Sequence, residues 1–345
     1  MAVTAPYVQR WAVVTTRCVV LTCLLSVSCA FGQGVITLNV VAVDKSGKPV
    51  SGLQQQDFTL IDNKQPKKLI SFEAKTGREA GDITLVLDEV NTSFSRVAYE
   101  REQVKKFLQR DGGRLTHPMT IAFLAGKGLE MQQSSSLDGN ALAAEIDQNK
   151  NALRTIRNSE GIYGAADRSQ LSFRALDQLI EAEGKRPGRK IIIWISPGWP
   201  LLSGPRMDLT SKQQHEIFNT VVATSTQLRE AQITLYNVDP LGTEEGLGRE
   251  NYYQQFLKGV RKYTDTQYGD LGLQVIAFQS GGRVLNASND LPGEVEKCVQ
   301  DLNAYYVLSF EASAGDGPDE YHALEVKIAQ PGVKAQTSSG YYARP

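Results

Sequence analysis

The stretch Asp82-Ile-Thr-Leu-Val-Leu-Asp88, followed at once by Glu89-Val-Asn-Thr92, decides the fold. Its apolar and β-branched residues predict a buried strand that delivers an acidic residue to its carboxyl end. Amide and hydroxyl side chains come next, and an apolar stripe of helical spacing through Val104, Phe107 and Leu108 follows. In open α/β sheets, ligands bind outside the carboxyl ends of the strands. The stretch therefore predicts an α/β sheet and the edge of that sheet where a site would lie.

From residue 82 onward, apolar strands alternate with amphipathic helices, which is the pattern of parallel βαβ units. The run 190–195 is apolar on both faces, as a central parallel strand should be. The other predicted strands are 83–87, 119–124, 233–238 and a short one at 283–285, with further helices over 209–230 and 290–303. We therefore predict that residues 79–303 form a Rossmann-like, open, mostly parallel sheet with helices on both faces.

The two ends of the mature chain read as β structure. Short β-branched runs alternate with turn residues such as Asp44-Lys-Ser-Gly-Lys-Pro49. The predicted strands here are 35–43, 57–61, 68–72, 305–310, 321–328 and 333–342. Because a sheet of two or three strands is marginal alone, we expect the segments 33–78 and 304–345 to combine into one small β domain. The α/β part would then be an insertion between them.

Residues 1–32 predict an export signal. They hold two arginines, no acidic residue, and an apolar run shorter than the roughly 20 residues of a spanning helix. Three processing alternatives stay open: cleavage after Gly32, cleavage after Ala30, and lipid attachment at Cys29. We therefore expect a secreted, periplasmic or cell-envelope protein with no transmembrane span in the mature chain.

Charge and composition exclude several classes of function. Lys and Arg total 37 against 38 for Asp and Glu, so no strong positive field predicts binding to nucleic acid. Cys298 is the only cysteine after residue 32, which predicts a mature chain without an internal disulfide and a small buried side chain there. The three histidines share no metal-ligand spacing, and neither a phosphate-binding glycine loop nor a G-x-S-x-G motif occurs.

A set of short motifs resembles the von Willebrand factor A (vWA) domain. The strand ending in Asp88, the later Ser196-Pro-Gly198 and the late Ser280-Gly-Gly282 look like successive vWA landmarks. The flanking Val43-Asp44-x-x-Gly47-x-Pro49 and Gly340-Tyr-Tyr342 resemble the VWFA-related domain proteins described from Acidobacteria, which are exported and of unassigned function. The resemblance covers about residues 35–345 and implies a vWA-like fold.

The resemblance also implies a metal-ion-dependent adhesion site, in which a DxSxS motif, a Thr and a second Asp hold Mg²⁺ or Ca²⁺ through oxygen. Asp88 matches the first Asp, and Thr92 replaces the second Ser. Val90 and Pro197 stand where oxygen ligands are expected. Candidates for further oxygens are Glu89, Asn91 and Asp239, and for the second-loop Thr they are Ser169 and Ser172. The expected metal site is therefore degenerate.

We predict an exported, non-catalytic, adhesion-type protein-binding module. The residues expected to contact a protein partner are Asp88, Asn91, Thr92, Ser196 and Trp199, with Trp199 at the rim of the edge. An alternative is an extracytoplasmic hydrolase or transferase that uses Asp88, Glu89 and Asp239 as general acid and base. Another is a structural envelope component that interacts through exposed strand edges. The aromatic residues between 241 and 268 leave two roles open, a partner surface or the packing of an inserted helix.

Overall fold

The structure, a computed structural model, describes residues 34–77, 81–149, 161–200, 208–240 and 252–343, apart from residues 314 and 316. The chain divides into Met1–Gly32 and a compact unit, Gln33–Pro345. All described residues belong to this second unit, so the predicted export signal lies outside them. Within the described ranges, no helix combines the length and apolar character needed to cross a membrane.

The secondary structure alternates as the sequence predicts in the middle of the chain. The strands are β1 (Val35–Val43), β2 (Phe58–Asp62), β3 (Gln65–Lys67), β4 (Leu69–Thr76), β5 (Asp82–Asp88), β6 (Arg114–Ala125), β7 (Gly128–Met131), β8 (Ser136–Asp138), β9 (Lys190–Ile195), β10 (Ile233–Val238), β11 (Val284–Leu285), β12 (Ala304–Glu311), β13 (Glu320–Ile328), β14 (Lys334–Gln336) and β15 (Gly340–Ala343). The helices are α1 (Phe94–Leu108), α2 (Gly139–Gln148), α3 (Gly161–Gly184), α4 (Ser211–Glu230), α5 (Leu273–Gln279) and α6 (Leu291–Gln300).

A mostly parallel sheet forms the centre of the unit. Its order is β11-β10-β9-β5-β6-β7, and the pairs from β11 to β6 are parallel. Strands β7 and β8 both pair antiparallel with β6. The predicted α/β class with a mostly parallel sheet is therefore confirmed.

Helices cover both faces of this sheet. Because successive strand residues point to opposite faces, Ile191 and Ile193 of β9 pack in the cluster that includes α1, α2 and α6. Their neighbours Ile192 and Trp194 pack in the cluster that includes α3, α4 and α5. Cys298 of α6 is fully buried in the first cluster, as predicted. The central strand is thus apolar throughout because both of its faces are covered.

The two terminal segments pair with each other in two further sheets. One has the order β14-β1-β12-β4 and the other β15-β13-β2-β3. One apolar cluster, which includes Leu38, Phe58, Tyr306 and Tyr341, contains residues of both sheets. The region 333–342, predicted as one strand, forms two short strands in different sheets. The boundaries of a separate β domain stay a prediction.

Candidate functional site at the carboxyl edge

The carboxyl ends of β5, β9 and β10 meet at one edge of the central sheet. Leu87 pairs with Ile195, and Ile195 pairs with Val238, so the three strands end at the same level. The residues that follow are 88–92, 196–199 and 239, and we call this region the carboxyl edge. This region contains the predicted site residues Asp88, Glu89, Asn91, Thr92, Ser196, Trp199 and Asp239.

Asp88 is fully buried and accepts four hydrogen bonds. Its Oδ1 accepts the main-chain N–H groups of Val90 at 3.1 Å and Asn91 at 2.9 Å. Its Oδ2 accepts the side-chain amide of Asn91 at 2.8 Å and the indole N–H of Trp194 at 2.9 Å. An ionised carboxylate offers about four acceptor sites. The Asp88 carboxylate is therefore saturated by donors of its own chain.

Two opposing effects act on the ionisation of Asp88. Burial raises its pKa, while the hydrogen bonds from Asn91 and Trp194 lower it, and burial prevails. The donors stabilise the charged form that burial penalises. The geometry is that of a structural acceptor that organises the loop after β5.

Asn91 and Ser172 continue this network onto α3. The Asn91 amide also donates to the Ser172 hydroxyl at 2.9 Å, and that hydroxyl donates to the main-chain oxygen of Arg168 at 2.9 Å. Ser172 is buried. One of the two candidates for a second-loop ligand thus lies at the carboxyl edge, but its hydroxyl is already engaged.

Trp199 is buried rather than exposed at the rim, which corrects the sequence-based expectation. Only 5% of its surface is exposed. Its ring packs edge-on against Trp194 at a centroid distance of 5.2 Å and against Phe173 at 4.9 Å. Ser196 is also buried, and its hydroxyl accepts the N–H of Gly198 at 3.1 Å. Both side chains are therefore buried parts of the carboxyl edge that pack and hydrogen-bond with the protein's own residues.

Glu100 is a buried acidic residue of α1 that the motifs of the sequence do not indicate. It lies on the inward face of α1 between Val97 and Val104, is 1% exposed, and has no donor in hydrogen-bonding geometry at either oxygen. Burial raises its pKa well above the usual value, and the negative charge of Asp88 raises it further, although the nearby Thr92 hydroxyl lowers it. The sequence feature that indicates its burial is spacing, because Glu100 falls on the apolar stripe of the helix, between Val97 and Val104.

Glu89 points to a different partner. Its Oε1 accepts from Nε and Nη2 of Arg101 at 2.8 and 2.6 Å. Arg101 also donates to the main-chain oxygens of Ile146 and Asn149, at the carboxyl end of α2. Burial raises the pKa of Glu89, and Arg101 opposes that rise. Arg101 therefore ties α1 both to Glu89, in the loop after β5, and to α2. Asp239, partly buried after β10, donates its main-chain N–H to the main-chain oxygen of Leu285 at 2.9 Å.

These residues do not fit the metal that the resemblance implies. A hard cation needs oxygens with free lone pairs, and both oxygens of Asp88 face N–H donors. Val90 packs in an apolar cluster, and the Pro197 carbonyl accepts the Gln274 amide at 3.2 Å. In the described part of the chain, no group of three or more His, Cys, Asp or Glu side chains is placed to hold a metal. Metal binding by Asp88 and Thr92, with Glu89, Asn91 or Asp239, stays an untested prediction.

Titration with Mg²⁺, Ca²⁺ or Mn²⁺ is expected to give no saturable heat in the wild type or in Asp88→Ala. The reason is that the Asp88 oxygens are already occupied by donors. Isothermal calorimetry after treatment with a chelator measures this directly. A saturable heat that disappears in Asp88→Ala but persists in the exposed-residue control Asp265→Ala would contradict the expectation.

The alternative of an enzyme requires a concave site lined by the edge carboxylates. Three pockets of the described chain lie near Asn39, Asp270 and Asp177. None of the three is lined by Asp88, Glu89 or Asp239. These pockets therefore give no support to acid–base catalysis at the carboxyl edge.

The aromatic residues after β10 divide between packing and exposure. Phe256 is buried, and Tyr268 packs against the cluster that contains Ile217 of α4. Tyr263 is partly exposed and stacks on His215 at a centroid distance of 3.6 Å. The part of this segment before residue 252 lies outside the described residues.

Comparisons with known proteins do not assign the chain to a family. No protein-family model matches it, and no curated protein matches it. Among solved structures, human COPII-coat protein Sec24c is similar with a TM-score of 0.38 and 8% identity, covering 79% of this chain and 44% of that one. BatB of Bacteroides thetaiotaomicron has a TM-score of 0.35 and 10% identity, over 64% of this chain and 97% of its own.

The pilus adhesin SpaC of Lactobacillus rhamnosus GG, in an open conformation, has a TM-score of 0.36 and 10% identity. The match covers 86% of this chain and 48% of SpaC, so the chain spans about half the length of Sec24c and of SpaC. All three TM-scores are below 0.5, and we infer no function from these structural similarities.

Proposed function

We propose that the protein is an exported, non-catalytic, adhesion-type protein-binding module whose metal-ion-dependent adhesion site is degenerate. Residues 1–32 support export, and the vWA-like motifs support membership of the VWFA-related proteins and a small accessory β domain. The proposal includes three alternatives for the location of the exported protein: secretion, a periplasmic location, and attachment to the envelope by a lipid at Cys29. The observation that carries the binding role is the saturated, fully buried Asp88 carboxylate.

A carboxylate in this state neither transfers protons to a substrate nor touches a partner. It instead holds the loop after β5 in one conformation, through two main-chain donors and the Asn91 amide. Thr92, Ser196 and Trp199 are buried as well. We infer that these residues support the loops of the edge, while neighbouring exposed residues make the contact. A surface that is rigid before binding loses less entropy in the complex.

Among the described residues, Tyr99 is an exposed aromatic residue near the carboxyl edge and is our candidate for this contact. It lies in the second turn of α1 and is 42% exposed. Its hydroxyl reaches the main-chain oxygen of Asn289, at 3.5 Å, so it lies beside the loop that leads into α6. Tyrosine combines a large apolar area with a polar tip and is enriched at binding hot spots.

A site-specific photo-crosslinker at position 99 is expected to capture a protein partner in an envelope extract. The matched control is the same crosslinker at Leu137, which is 43% exposed but lies on β8, beside the opposite end of β6. Capture by the position 99 variant should exceed that of the control at least fivefold and should persist in chelator. Equal capture at both positions would contradict the proposed surface, and loss in chelator would contradict its independence from metal.

The hydrolase or transferase alternative is favoured by one observation, the raised pKa values of Asp88 and Glu89. Raised carboxyl pKa values are typical of general acids. However, Asp88 is saturated by donors and Glu89 is paired with Arg101, so neither is free to move a proton to a substrate. Protein binding is therefore the better supported function.

A further inference from the structure

A pocket of about 850 Å³ lies on a different part of the surface from the carboxyl edge. Residues 255–261 form its wall, the buried residues Asp270 and Tyr321 of β13 form its floor, and the exposed Phe278 at the end of α5 lies at its rim. Its size falls within the range of about 300–1,000 Å³ that is usual for ligand sites. We call it the Asp270 pocket, after the acidic residue at its floor.

The floor of the pocket combines a buried carboxylate with an aromatic ring. Asp270 is 4% exposed, and its Oδ2 accepts the N–H of Gln267 at 2.7 Å, which closes the turn Tyr268–Leu271. Tyr321 is also buried, with its hydroxyl 3.2 Å from that of Ser339. Phe278 lies at the rim and is 41% exposed.

Two glycines allow the wall to pack this closely. A Cβ on Gly259 would lie 2.1 Å from the Tyr321 ring, and a Cβ on Gly269 would lie 2.4 Å from the Phe256 ring. Any larger residue would push the wall away from the floor. The pocket is therefore set by close packing between the wall and the aromatic rings.

The charges around the pocket differ in their exposure. Lys258, Arg261 and Asp265 lie at the rim and are exposed, so water and salt screen them. Asp270 is the buried charged residue of the lining, and electrostatic interactions are stronger where water is excluded. A cation that enters the pocket therefore interacts mainly with Asp270.

We propose that the Asp270 pocket binds an arginine side chain of a partner protein. The planar guanidinium pairs with a carboxylate, here Asp270, through two donors and stacks on aromatic rings, here the exposed ring of Phe278 at the rim. The space beyond one side chain admits the adjoining peptide. This site is independent of the proposed contact at Tyr99, and either can fail without the other.

Binding of an arginine at this site depends on pH. Burial raises the pKa of Asp270 to about 6. The carboxyl is thus protonated below this value, where the attraction for a cation is lost, and ionised above it, where the attraction is present. The other ionisable groups around it are Lys258, Arg261, Asp265, Tyr321 and Tyr342. Burial raises the pKa of both tyrosines, so they stay neutral between pH 5 and pH 7.5.

The test titrates the full chain with Nα-acetyl-arginine methylamide and with its neutral isostere, Nα-acetyl-citrulline methylamide. At pH 7.5 the arginine compound is expected to bind at least tenfold more tightly, because a charge-assisted hydrogen bond is worth more than a neutral one. Asp270→Asn should weaken its binding at least tenfold, and the control Glu325→Gln, an exposed carboxylate outside the pocket lining, should change it by less than about twofold. Lowering the pH to 5 should weaken wild-type binding about tenfold, as one unit below the pKa of about 6 requires.

Equal binding of the two compounds, or no binding of either to the wild type, would overturn the proposal. So would unchanged arginine binding in a folded Asp270→Asn variant. Asparagine keeps an acceptor for the Gln267 N–H, which favours retention of the turn. Should the variant not fold, the arginine–citrulline comparison and the pH dependence of the wild type still decide the question.

Discussion

Asp88→Ala is expected to lower the free energy of unfolding by at least about 3 kcal/mol. The substitution removes the acceptor of the Val90 and Asn91 main-chain N–H groups and of the Trp194 indole. Each buried donor left without an acceptor costs about 1–3 kcal/mol, whereas the Asn91 amide keeps Ser172 as a partner. The loss is expected equally with and without divalent cations, because the network contains only protein groups.

Urea unfolding monitored by tryptophan fluorescence and circular dichroism measures this loss. Asp88→Asn preserves the volume but places an amide N–H among donors, so it should also destabilise the protein. Asp265→Ala removes an exposed carboxylate and should change the stability by less than about 0.5 kcal/mol. A loss below about 1 kcal/mol for Asp88→Ala would show that the network does not hold the edge together.

Asp301→Ala is expected to destabilise the protein by about 3–5 kcal/mol, because breaking a buried ion pair leaves an uncompensated charge. Asp301 follows α6, is fully buried, and accepts from Nε of Arg283 at 3.1 Å, with a second contact from Nη2 of the same side chain. It also accepts the hydroxyl of Tyr236 at 2.8 Å and the amide of Gln336 at 3.2 Å. Tyr236 lies on β10 and Gln336 on β14, so this one carboxylate joins the central sheet to a terminal sheet.

The same unfolding experiment tests this prediction, with Asp301→Asn as the variant that keeps the shape but removes the charge. An exposed ion pair, Lys327 with Glu325, supplies the control. Glu325→Ala should change the stability by less than about 1 kcal/mol, because surface pairs contribute little. Comparable losses for Asp301→Ala and Glu325→Ala would refute the role of the buried network.

The strands of the central sheet were predictable because their signal is local. The expected strands at 83–87, 190–195 and 233–238 correspond to β5, β9 and β10 within one residue at each end. A run that is apolar on both faces has one stable environment, between two layers of helices. The antiparallel pieces β7 and β8 were not predicted, because they are only four and three residues long and partly polar.

The position of the candidate site was predictable from the sequence, but the burial and the hydrogen-bond partners of its residues were not. The end of β5 and the turn chemistry after it indicated the edge, and the structure brings Asp88, Asn91 and Ser172 together there. The burial of Trp199 depends on its packing against Phe173 of α3. The burial of Glu100 depends on how α1 packs against the central sheet, whose strands come from distant parts of the chain. No short sequence window contains that information.

The sequence by itself determined the α/β class, the alternation of strands and helices, and the edge at which an acidic residue is delivered. These properties follow from residue periodicity and turn chemistry within short windows of chain. Only the tertiary structure decided that Asp88 is saturated by the Asn91 amide and the Trp194 indole, and that Asp270 lies at the floor of a pocket. Burial and hydrogen-bond partners depend on which distant segments pack together. They make Asp88 a structural hydrogen-bond acceptor and leave Asp270 as a candidate binding group.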